Sequence, residues 1–399
     1  MPPVITAQPL SQTNYIGAQL AFSVGAVGSA PMSYQWQAGS GGTYTNLVDG
    51  AAISGATSNL LTIFNATTNW AMPYRVIVSN NTGAVTSAVA TLTVPSGWAM
   101  VWGDDFDETI LDTTKWHAFV GNTTGGQNTY TSRTNNVYVA NGMLHLVAQQ
   151  DGYGGYRYSS GQVRTEGLYT KQYGHIEARM RMPDGQGFWP AFWMLGQNYD
   201  PGINWPYCGE IDVPENVGGL PNMVQGTIHY ADVSGNDTFQ TLQNEFPTPG
   251  DTAGNFHTYG VQWTSNAIIW QVDGMNVQTW TNWGAATGRN AYPAPFDQPF
   301  FFLLQLAVSG PGDYGGAPNG STPFPSELQV DYVHVYDQLP VLTAQLISPG
   351  GFQLTWSGGI LYEATNVLGP WTITRNAVTP FTVPLSTALK QKFYRVRSP

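Results

Sequence analysis

The stretch "GEIDVPENVGG" runs from Gly209 to Gly219 and carries three carboxylates, Glu210, Asp212 and Glu215. On a β-strand alternate residues face the same side, so Glu210 and Asp212 share a face while Glu215 is one residue out of phase. Pro214 immediately precedes Glu215. A β-bulge shifts the phase by one residue, and a bulge is one of the few places where a strand tolerates proline. The stretch therefore predicts a bulged strand that presents all three acids on one face.

Three clustered acids repel one another unless they share protons or bind a cation. The structural alternative is a Ca²⁺ site or an exposed strand edge. The catalytic alternative is cleavage of a glycosidic bond by two carboxylates. Four strand steps separate the outer acids by roughly 13 Å at Cα. Side chains that lean together on a concave sheet narrow the carboxyl separation to about 5 Å, which is typical of retaining glycosidases.

The rest of the chain also has the pattern of an all-β protein. Short alternating runs lie between Gly, Asn, Pro and Ser clusters, and no long stretch has apolar residues at helical spacing. A chain of 399 residues is too long for one ordinary core. The turn-rich segments "VPSG" (94–97) and "DQLP" (337–340) mark boundaries. We therefore predict three domains, 1–95, 98–338 and 340–399.

Composition narrows the function. Charged residues make up 10% of the chain and the net charge is −11, which argues against nucleic acid and anionic membranes as partners. The sequence contains no run of about 18 apolar residues, so we predict no membrane span. Cys208 is the single cysteine, so no intrachain disulfide forms. The start, "MPPVITAQPL", is not a signal peptide. We expect a secreted or cell-surface protein whose signal was removed, with an intracellular protein as the alternative.

The first domain resembles an immunoglobulin-like β-sandwich. Its strands alternate in "LAFSV", "MSYQW" and "PYRVIVSNNTG". Trp36 resembles the core tryptophan and Tyr74 the tyrosine corner, while Phe22 and Val76 occupy the usual cystine positions. A spacer is the expected role and ligand binding the alternative. The last domain, with "GFQLTW", "GPWTIT" and "KFYRVRSP", is predicted to be a small all-β module.

Three stretches of the middle domain combine polar or aromatic faces with apolar ones. "YGHIEARMRMP" (173–183) places His175, Glu177, Arg179 and Arg181 on one face, either a solvated surface or the wall of a polar groove. "GFWPAFWMLG" (187–196) places its two tryptophans on one face, and "QGTIHYAD" (225–232) places one histidine on its polar side. No second His or Cys lies at metal-ligand spacing from that histidine.

At this point a family resemblance emerges. E-x-D-x-x-E on a bulged strand resembles glycoside hydrolase family 16, in its laminarinase-like branch. Further blocks follow in the family's order: "WGDDFDETILDTTKW", "YSSGQVRTEGLYTKQYGHIEARMRMP", "WPYCGEIDVPEN", "FHTYGVQWTSNAIIWQVDG" and "STPFPSELQVDYVHVY". The resemblance implies a β-jelly-roll sandwich whose concave sheet forms an open cleft. It also implies endo-acting, retaining hydrolysis of β-glucans or β-galactans without an organic cofactor.

The same resemblance implies roles for individual residues. Glu210 would be the nucleophile, Glu215 the acid/base, and Asp212 the residue that hydrogen-bonds and tunes the nucleophile. A histidine beside the acid/base, His229, and further cleft residues are implied as well: Trp189, Trp193, Trp205, Arg179 and Gln305. Some members bind one structural Ca²⁺ on the convex side, which here would fall near Asp105, the Gly142 carbonyl and Asp331.

Some residues depart from the family pattern. Pro214 stands where methionine is common, His175 where arginine is frequent, and Gln305 where asparagine is frequent. These departures affect the expected substrate preference. We expect a monomeric endo-β-1,3-glucanase acting on laminarin-type glucans. The alternatives are mixed-linkage glucan, agar or carrageenan as substrate, a non-catalytic glucan-binding protein, or a protein whose flanking domains serve adhesion.

Overall fold

The fold is described from a computed structural model of the chain. The structure describes residues 1–399 except 15, 41–42, 65, 95–96, 123–126, 200–202, 221, 245–254, 285–289, 348–350, 357–358, 385–390 and 398–399. Of the predicted "VPSG" boundary, residues 95 and 96 lie outside the described residues. The chain divides into two compact units, one comprising Val101–Tyr336 and the other Met1–Met100 together with Asp337–Pro399.

Strands make up nearly all of the regular secondary structure of the described chain, and we number them in chain order. Those before residue 105 are β1 (Val4–Ala7), β2 (Gln12–Thr13), β3 (Leu20–Ser23), β4 (Gly25–Val27), β5 (Ser33–Ser40), β6 (Thr43–Asn46), β7 (Ile53–Ser54), β8 (Leu60–Ile63), β9 (Pro73–Asn80), β10 (Gly83–Thr86), β11 (Ala90–Thr93) and β12 (Trp98–Asp104).

The next sixteen strands run to residue 338. They are β13 (His117–Ala118), β14 (Asn128–Tyr130), β15 (Val137–Ala140), β16 (Met143–Ala148), β17 (Tyr158–Ser160), β18 (Gln162–Arg164), β19 (Gly174–Arg181), β20 (Phe188–Gly196), β21 (Glu210–Asn216), β22 (Val224–Ala231), β23 (Asp237–Asn244), β24 (His257–Trp263), β25 (Ile268–Val272), β26 (Met275–Trp280), β27 (Phe300–Val308) and β28 (Ser326–Gln338).

Six strands follow, with three single-turn 3₁₀ helices elsewhere in the chain. The strands are β29 (Leu342–Ile347), β30 (Gly351–Trp356), β31 (Ile360–Ala364), β32 (Thr372–Ile373), β33 (Phe381–Pro384) and β34 (Phe393–Arg397), and the helices are Thr68–Trp70, Tyr153–Gly155 and Gln197–Tyr199. Among the described residues no helix is long and apolar enough to span a membrane.

Two large sheets form the unit Val101–Tyr336. The front sheet has the order β13-β18-β27-β20-β21-β22-β23, and the back sheet has the order β15-β16-β28-β19-β24-β25-β26 with β12 beside β28. Non-consecutive neighbours such as β27 and β20 pair antiparallel, so the chain crosses repeatedly between the layers. The predicted all-β jelly-roll sandwich is therefore confirmed, and its front sheet carries β21 with its three acids.

Alternating side chains explain why these two sheets pack. On β19 the apolar residues Ile176, Ala178 and Met180 are fully buried and belong to the main core cluster. On β20 the same cluster contains Phe188 and Phe192. Removing apolar surface from water contributes roughly 25 cal/mol per Å². The core thus lies between the sheets, and the opposite face of the front sheet is left for polar residues.

The other unit contains smaller sheets, and its N-terminal strands enclose a second core of residues between Leu20 and Val94. Its N-terminal strands form the sheets β1-β4, β3-β8-β7 and β2-β11-β9-β5-β6, with β10 beside β9, and its C-terminal strands form β29-β30-β33 and β32-β31-β34. Trp36 lies fully buried in this core, and the ring of Phe22 stacks on that of Tyr74 at 4.9 Å. Apolar packing of Phe22 and Val76 therefore replaces the disulfide at the positions where the resemblance places cystine.

Candidate active site

The three acids of β21 lie on one face of the front sheet. Across β22, Glu210 is opposite His229, Asp212 opposite Thr227 and Glu215 opposite Gln225. The three partners are two residues apart on an unbulged strand, so they share a face. On the other side the same acids pair with Leu195, Trp193 and Ala191 of β20, which are again two residues apart.

A β-bulge brings Glu215 into phase with the other two acids. The register shifts between Asp212 and Glu215, so Val213 and Pro214 together lie opposite Gly226 alone. The neighbouring strand β20 shows the same shift. The phase change inferred from the proline before Glu215 is therefore present in the structure.

Trp270 of the back sheet supports the bulge through the core. A Cβ atom on Gly226 would lie 2.1 Å from Trp270 Cδ1, so the indole ring occupies the space that this glycine leaves open. The Trp270 Nε1–H donates to the Asp212 carbonyl oxygen at 2.8 Å. Buried carbonyl groups need such donors, and a bulge disrupts the regular ladder. The indole of Trp270 thus fills the space opposite the bulge and supplies a hydrogen-bond donor to the Asp212 carbonyl group.

Glu215 is surrounded so that its neutral form is favoured. Burial, followed by the charge of Glu210, raises the pKa of Glu215 to about 7. The Trp189 Nε1–H donates to Glu215 Oε1 at 2.9 Å and opposes part of that rise. The ring of Tyr314 meets that of Trp189 edge-on at 5.7 Å, and the pKa of Tyr314 is raised by burial and by the charge of Glu215. Glu215 can therefore hold a proton near neutral pH and ionise above it.

Asp212 and Glu210 form the second part of the cluster. Burial and the charges of Glu215 and Glu210 raise the pKa of Asp212 well above its usual value. Asp212 shares a hydrogen bond with Glu210 that raises the pKa of Asp212 and lowers that of Glu210. Asp212 therefore acts as the donor. Trp205 Nε1–H also donates to Glu210, at 2.7 Å from Oε2. Burial still raises the pKa of Glu210, but these donors favour its charged form.

His229 lies beside Glu210, not beside Glu215 as the resemblance implied. Its Nδ1 is 3.1 Å from Asp237 Oδ2, and its Nε2 is 3.6 Å from Asp212 Oδ2. The correction follows from strand pairing, because Gln225 occupies the cross-strand position opposite Glu215. When the imidazole of His229 is charged, it lowers the pKa of Glu210.

Other predicted cleft residues share this face. Trp193 pairs with Asp212 and packs against a small apolar cluster that contains Cys208, which is buried as a packing residue. Gln305 pairs with Ala191, in the same cross-strand row as Glu215. The side-chain oxygen of Gln305 accepts from Gln162 Nε2 at 2.7 Å.

Arg179 does not lie at this site, and its prediction as a cleft residue is wrong in this structure. It belongs to β19 of the back sheet and projects from the face opposite the core. Arg179 Nη1 binds Asp331 Oδ2 at 2.5 Å, and its guanidinium lies over the ring of Phe256. Strand alternation gives the face of a residue but not the sheet that its strand joins.

The predicted calcium ligands do not fit a cation site. Asp331 pairs with Arg179 at 2.5 Å, and Asp105 Oδ1 is 2.8 Å from His334 Nε2. Calcium requires six to eight converging oxygen ligands. Both carboxylates here face nitrogen partners on different residues, and this geometry does not favour a calcium site.

A metal ion would find three ligand atoms at the acid cluster. Ligand atoms of Glu210, Asp212 and His229 lie within 4.8 Å of one another. The hydrogen bond between Glu210 and Asp212 already satisfies part of this group. The arrangement is better suited to holding a proton between two carboxylates than to holding a cation.

Sequence reasoning missed four residues near the acids. Asp237 and Tyr314 lie in polar, turn-rich surroundings without a distinctive spacing. Gly226 and Trp270 come together only across the core. Spacing along one strand predicts which side chains share a face, but it cannot predict partners supplied by another sheet.

Cleavage of a glycosidic bond requires two carboxyl groups with different environments. Glu215 can retain its proton near neutral pH, and hydrogen-bond donors hold Glu210. The fold and site thus define a glycoside hydrolase. Residues 124–306 match the model of "Glycosyl hydrolases family 16". A β-glucanase of Rhodothermus marinus is 36% identical over 251 residues, 60% of this chain and 85% of that protein. The chain belongs to glycosyl hydrolase family 16.

Two further similarities concern proteins of different extent. The glucan endo-1,3-β-glucosidase A1 of Niallia circulans is 37% identical over 275 residues, which are 63% of this chain but 40% of that protein. The X-ray structure of the laminarinase from Rhodothermus marinus superposes with a TM-score of 0.54 at 33% identity, covering 61% of this chain and 98% of that one. The similarity therefore concerns the middle of the chain.

Proposed function

We propose that the chain is an endo-acting, retaining β-1,3-glucanase for laminarin-type glucans, with Glu210 as nucleophile and Glu215 as acid/base. The observation that carries the proposal is the bulge, because it places two glutamates of different electrostatic surroundings on one open sheet face. The similarity to a laminarinase and to a glucan endo-1,3-β-glucosidase supports the substrate class.

In the first step Glu215 donates its proton to the glycosidic oxygen while a Glu210 oxygen attacks the anomeric carbon. The bond to the leaving sugar breaks, and a glycosyl ester on Glu210 forms. The neutral Asp212 and the indole of Trp205 donate to Glu210 and orient its carboxylate. Since Glu215 has a pKa of about 7, about half of its carboxyl groups carry the proton at pH 7 and most carry it below that pH, so the proton is available for this step.

In the second step Glu215 acts as a base. It takes a proton from water while the water oxygen attacks the anomeric carbon, and Glu210 leaves as a carboxylate. Esterification removes the charge of Glu210, which is one of the causes of the raised pKa of Glu215. The pKa of Glu215 therefore falls in the intermediate, when a base is needed.

Anionic galactans are the less favoured substrates. Among the described residues of the front-sheet strands, Arg164 is the one Lys or Arg side chain. Arg164 Nη1 is bound to Glu166 Oε2 at 3.2 Å. A sulfated chain would need basic partners that this face does not provide.

The experiment that tests the proposal is a substrate panel. Laminarin, curdlan, barley glucan, agarose and carrageenan are incubated with the chain, and reducing ends and product lengths are measured. We expect fastest release from laminarin, internal cleavage, and a β-anomeric product when it is first formed, as seen by NMR. Faster cleavage of barley glucan would shift the assignment to mixed-linkage glucan. Binding without cleavage would favour a non-catalytic glucan-binding protein, and an α-anomeric first product would refute the mechanism.

We further propose that residues 1–95 form an immunoglobulin-like spacer domain. Support comes from the buried Trp36, from the stacked pair Phe22 and Tyr74, and from the Tyr74 hydroxyl, which donates to the Trp70 carbonyl at 2.9 Å. The same proposal gives the catalytic domain the limits 98–338 and the small C-terminal module the limits 340–399. It also includes action as a secreted or cell-surface monomer. Deleting residues 1–95 should leave hydrolysis intact, and polysaccharide pull-down measured separately would reveal an adhesive role.

The expected structural calcium remains a prediction that the ligand geometry does not favour. Its test is the melting temperature in excess chelator and in excess Ca²⁺, because an ion that binds only the folded state raises that temperature by mass action. An unchanged melting temperature would reject the site.

A further inference from the structure

An exposed phenylalanine lies on the edge of the front sheet. Phe239 belongs to β23, the last strand of that sheet, and 59% of its surface is exposed. A single exposed apolar side chain is ordinary on a protein surface. Phe239 differs because it pairs with His229, which in turn pairs with Glu210. Its side chain therefore lies on the face that carries the acids.

Three rings form a row that begins at Glu210. Trp205, which donates its indole N–H to Glu210, is 43% exposed. The ring of Trp205 is 5.7 Å from that of His229, and the ring of His229 is 5.8 Å from that of Phe239. Adjacent strands lie about 4.8 Å apart, so Phe239 is roughly 10 Å from Glu210 across the sheet. The aromatic surface is thus continuous with the active site.

The middle ring of the row is fixed on both sides. His229 Nδ1 bonds with Asp237, which lies two residues before Phe239 on the same strand, and the opposite ring edge faces Asp212. A row that is anchored in this way presents its outermost ring at a defined position relative to the nucleophile. Rigid aromatic surface with few polar groups is typical of carbohydrate and other small-molecule sites.

We propose that Phe239 forms a glycosyl-binding subsite on β23, two strands from Glu210, for a glucosyl unit of the same β-glucan chain that is cleaved. The proposal rests on the proposed function. Continuity with the acids favours the substrate itself over a separate partner. All hydroxyl groups of a β-linked glucosyl unit are equatorial, so both ring faces present C–H groups that stack on an aromatic ring, whereas the axial hydroxyl of galactose interrupts one face.

The test uses a series of β-1,3-linked gluco-oligosaccharides of increasing length. In the wild type, kcat/KM should rise at the length that first reaches β23. Phe239→Ala should lose roughly two- to tenfold in kcat/KM at and beyond that length, mainly through KM, and nothing on shorter substrates. Phe239→Tyr should retain the gain. Met275→Ala removes an exposed apolar side chain from the back sheet and serves as the matched control.

Each other outcome overturns the subsite. Equal loss at every length with an altered pH profile would mean that Phe239 merely supports His229. Equal kcat/KM for Phe239→Ala and wild type at every length would mean that sugar does not contact it. In both cases the wild type still cleaves β-glucan and the proposed function survives. A wild type that cleaves no member of the series would overturn the proposed function and the subsite together.

Discussion

Strands β19 and β21 each carry a buried glutamate, Glu177 and Glu215, and the pKa values of these two side chains shift in opposite directions. On β19, Glu177 Oε2 is 2.9 Å from His175 Nε2, and its other oxygen accepts from the Tyr336 hydroxyl at 3.1 Å. On β21, Glu215 has two other acids as its neighbours in the row. Both glutamates are buried.

Their partners set the direction of the pKa shift. Burial acts to raise the pKa of Glu177, but the hydrogen bond and charge of His175, the charge of His334 and the bond from Tyr336 outweigh it, and the pKa falls below its usual value. Burial raises the pKa of Glu215 and the charge of Glu210 adds to that rise. Burial alone therefore does not make a carboxyl group reactive, because the sign of the neighbouring charges decides it.

The largest expected effect comes from removing the carboxyl groups of β21. Glu210→Ala should lose roughly 10⁴-fold in kcat on glucan, since no nucleophile remains. With an activated aryl glycoside, azide should occupy the vacant position and give the α-glycosyl azide by one inversion. Glu215→Ala should form the intermediate, stall without a base, and give the β-azide by two inversions.

The stereochemistry of the azide products is read by NMR. Products of reversed configuration would exchange the assigned roles of Glu210 and Glu215. Glu177→Ala on β19 is the comparison variant, and it should give no azide product beyond that of the wild type.

Removing the bulge should have the next largest effect. Deletion of Pro214 returns Glu215 to the core-facing phase of β21, and kcat should fall roughly 10³-fold, as for loss of a general acid. Far-UV circular dichroism should still show a β-sheet protein. Pro214→Met keeps the residue count and should retain activity. A deletion variant with wild-type activity would contradict the phase argument.

The two buried glutamates should respond to neutralisation with opposite signs. A raised pKa in the folded state costs stability as pH rises through about 7, so Glu215→Gln should raise the melting temperature by a few degrees at pH 8 and by less at pH 5. A lowered pKa stabilises above the unfolded value, so Glu177→Gln should lower the melting temperature at pH 8 by roughly 5 °C or more.

Thermal unfolding between pH 5 and pH 8 measures the change for Glu215→Gln. For Glu177→Gln the series extends below pH 4.5, the usual glutamate value, because the folded-state pKa of Glu177 lies below it and the loss should shrink only as pH falls through that pKa. The exposed Glu108 provides a matched control, Glu108→Gln, which should leave the melting temperature unchanged. Shifts of the same sign for Glu215→Gln and Glu177→Gln would contradict the comparison.

The smallest effect concerns the two indole donors. Trp189→Phe removes a bond that lowers the pKa of Glu215, so the alkaline limb of kcat/KM should move upward by a fraction of a pH unit. Trp205→Phe removes a bond that lowers the pKa of Glu210, so the acidic limb should move upward instead. Full pH–rate profiles on soluble glucan distinguish the two, and identical profiles for both variants would count against the separate roles.

Sequence reasoning predicted the acid row because the signal is local. Period-two alternation and one proline fix the phase of Glu215 relative to Glu210, and both lie within one strand. The β-sandwich class followed in the same way from short alternating runs.

Arg179 was assigned to the wrong sheet, and the nitrogen partners of Asp331 and Asp105 were not predicted, because these contacts join residues that are distant in sequence. The pattern of β19 correctly separates its core face from its polar face, but only sheet order places that polar face on the back sheet. Phe239 escaped notice because an edge-strand aromatic among polar residues carries no periodic signal. Its significance depends on pairing with His229 across β22.

Trp270 ties the active strand to the opposite layer, and this has a consequence for refolding. Its indole reaches Asp212 and Gly226 only when the two sheets are docked, since it stands on β25 of the back sheet. A chain that has formed its strands but not yet joined its layers lacks the support for the bulge. Catalytic competence should consequently be acquired at the docking step, together with burial of this indole and its change in fluorescence, and not when secondary structure first appears.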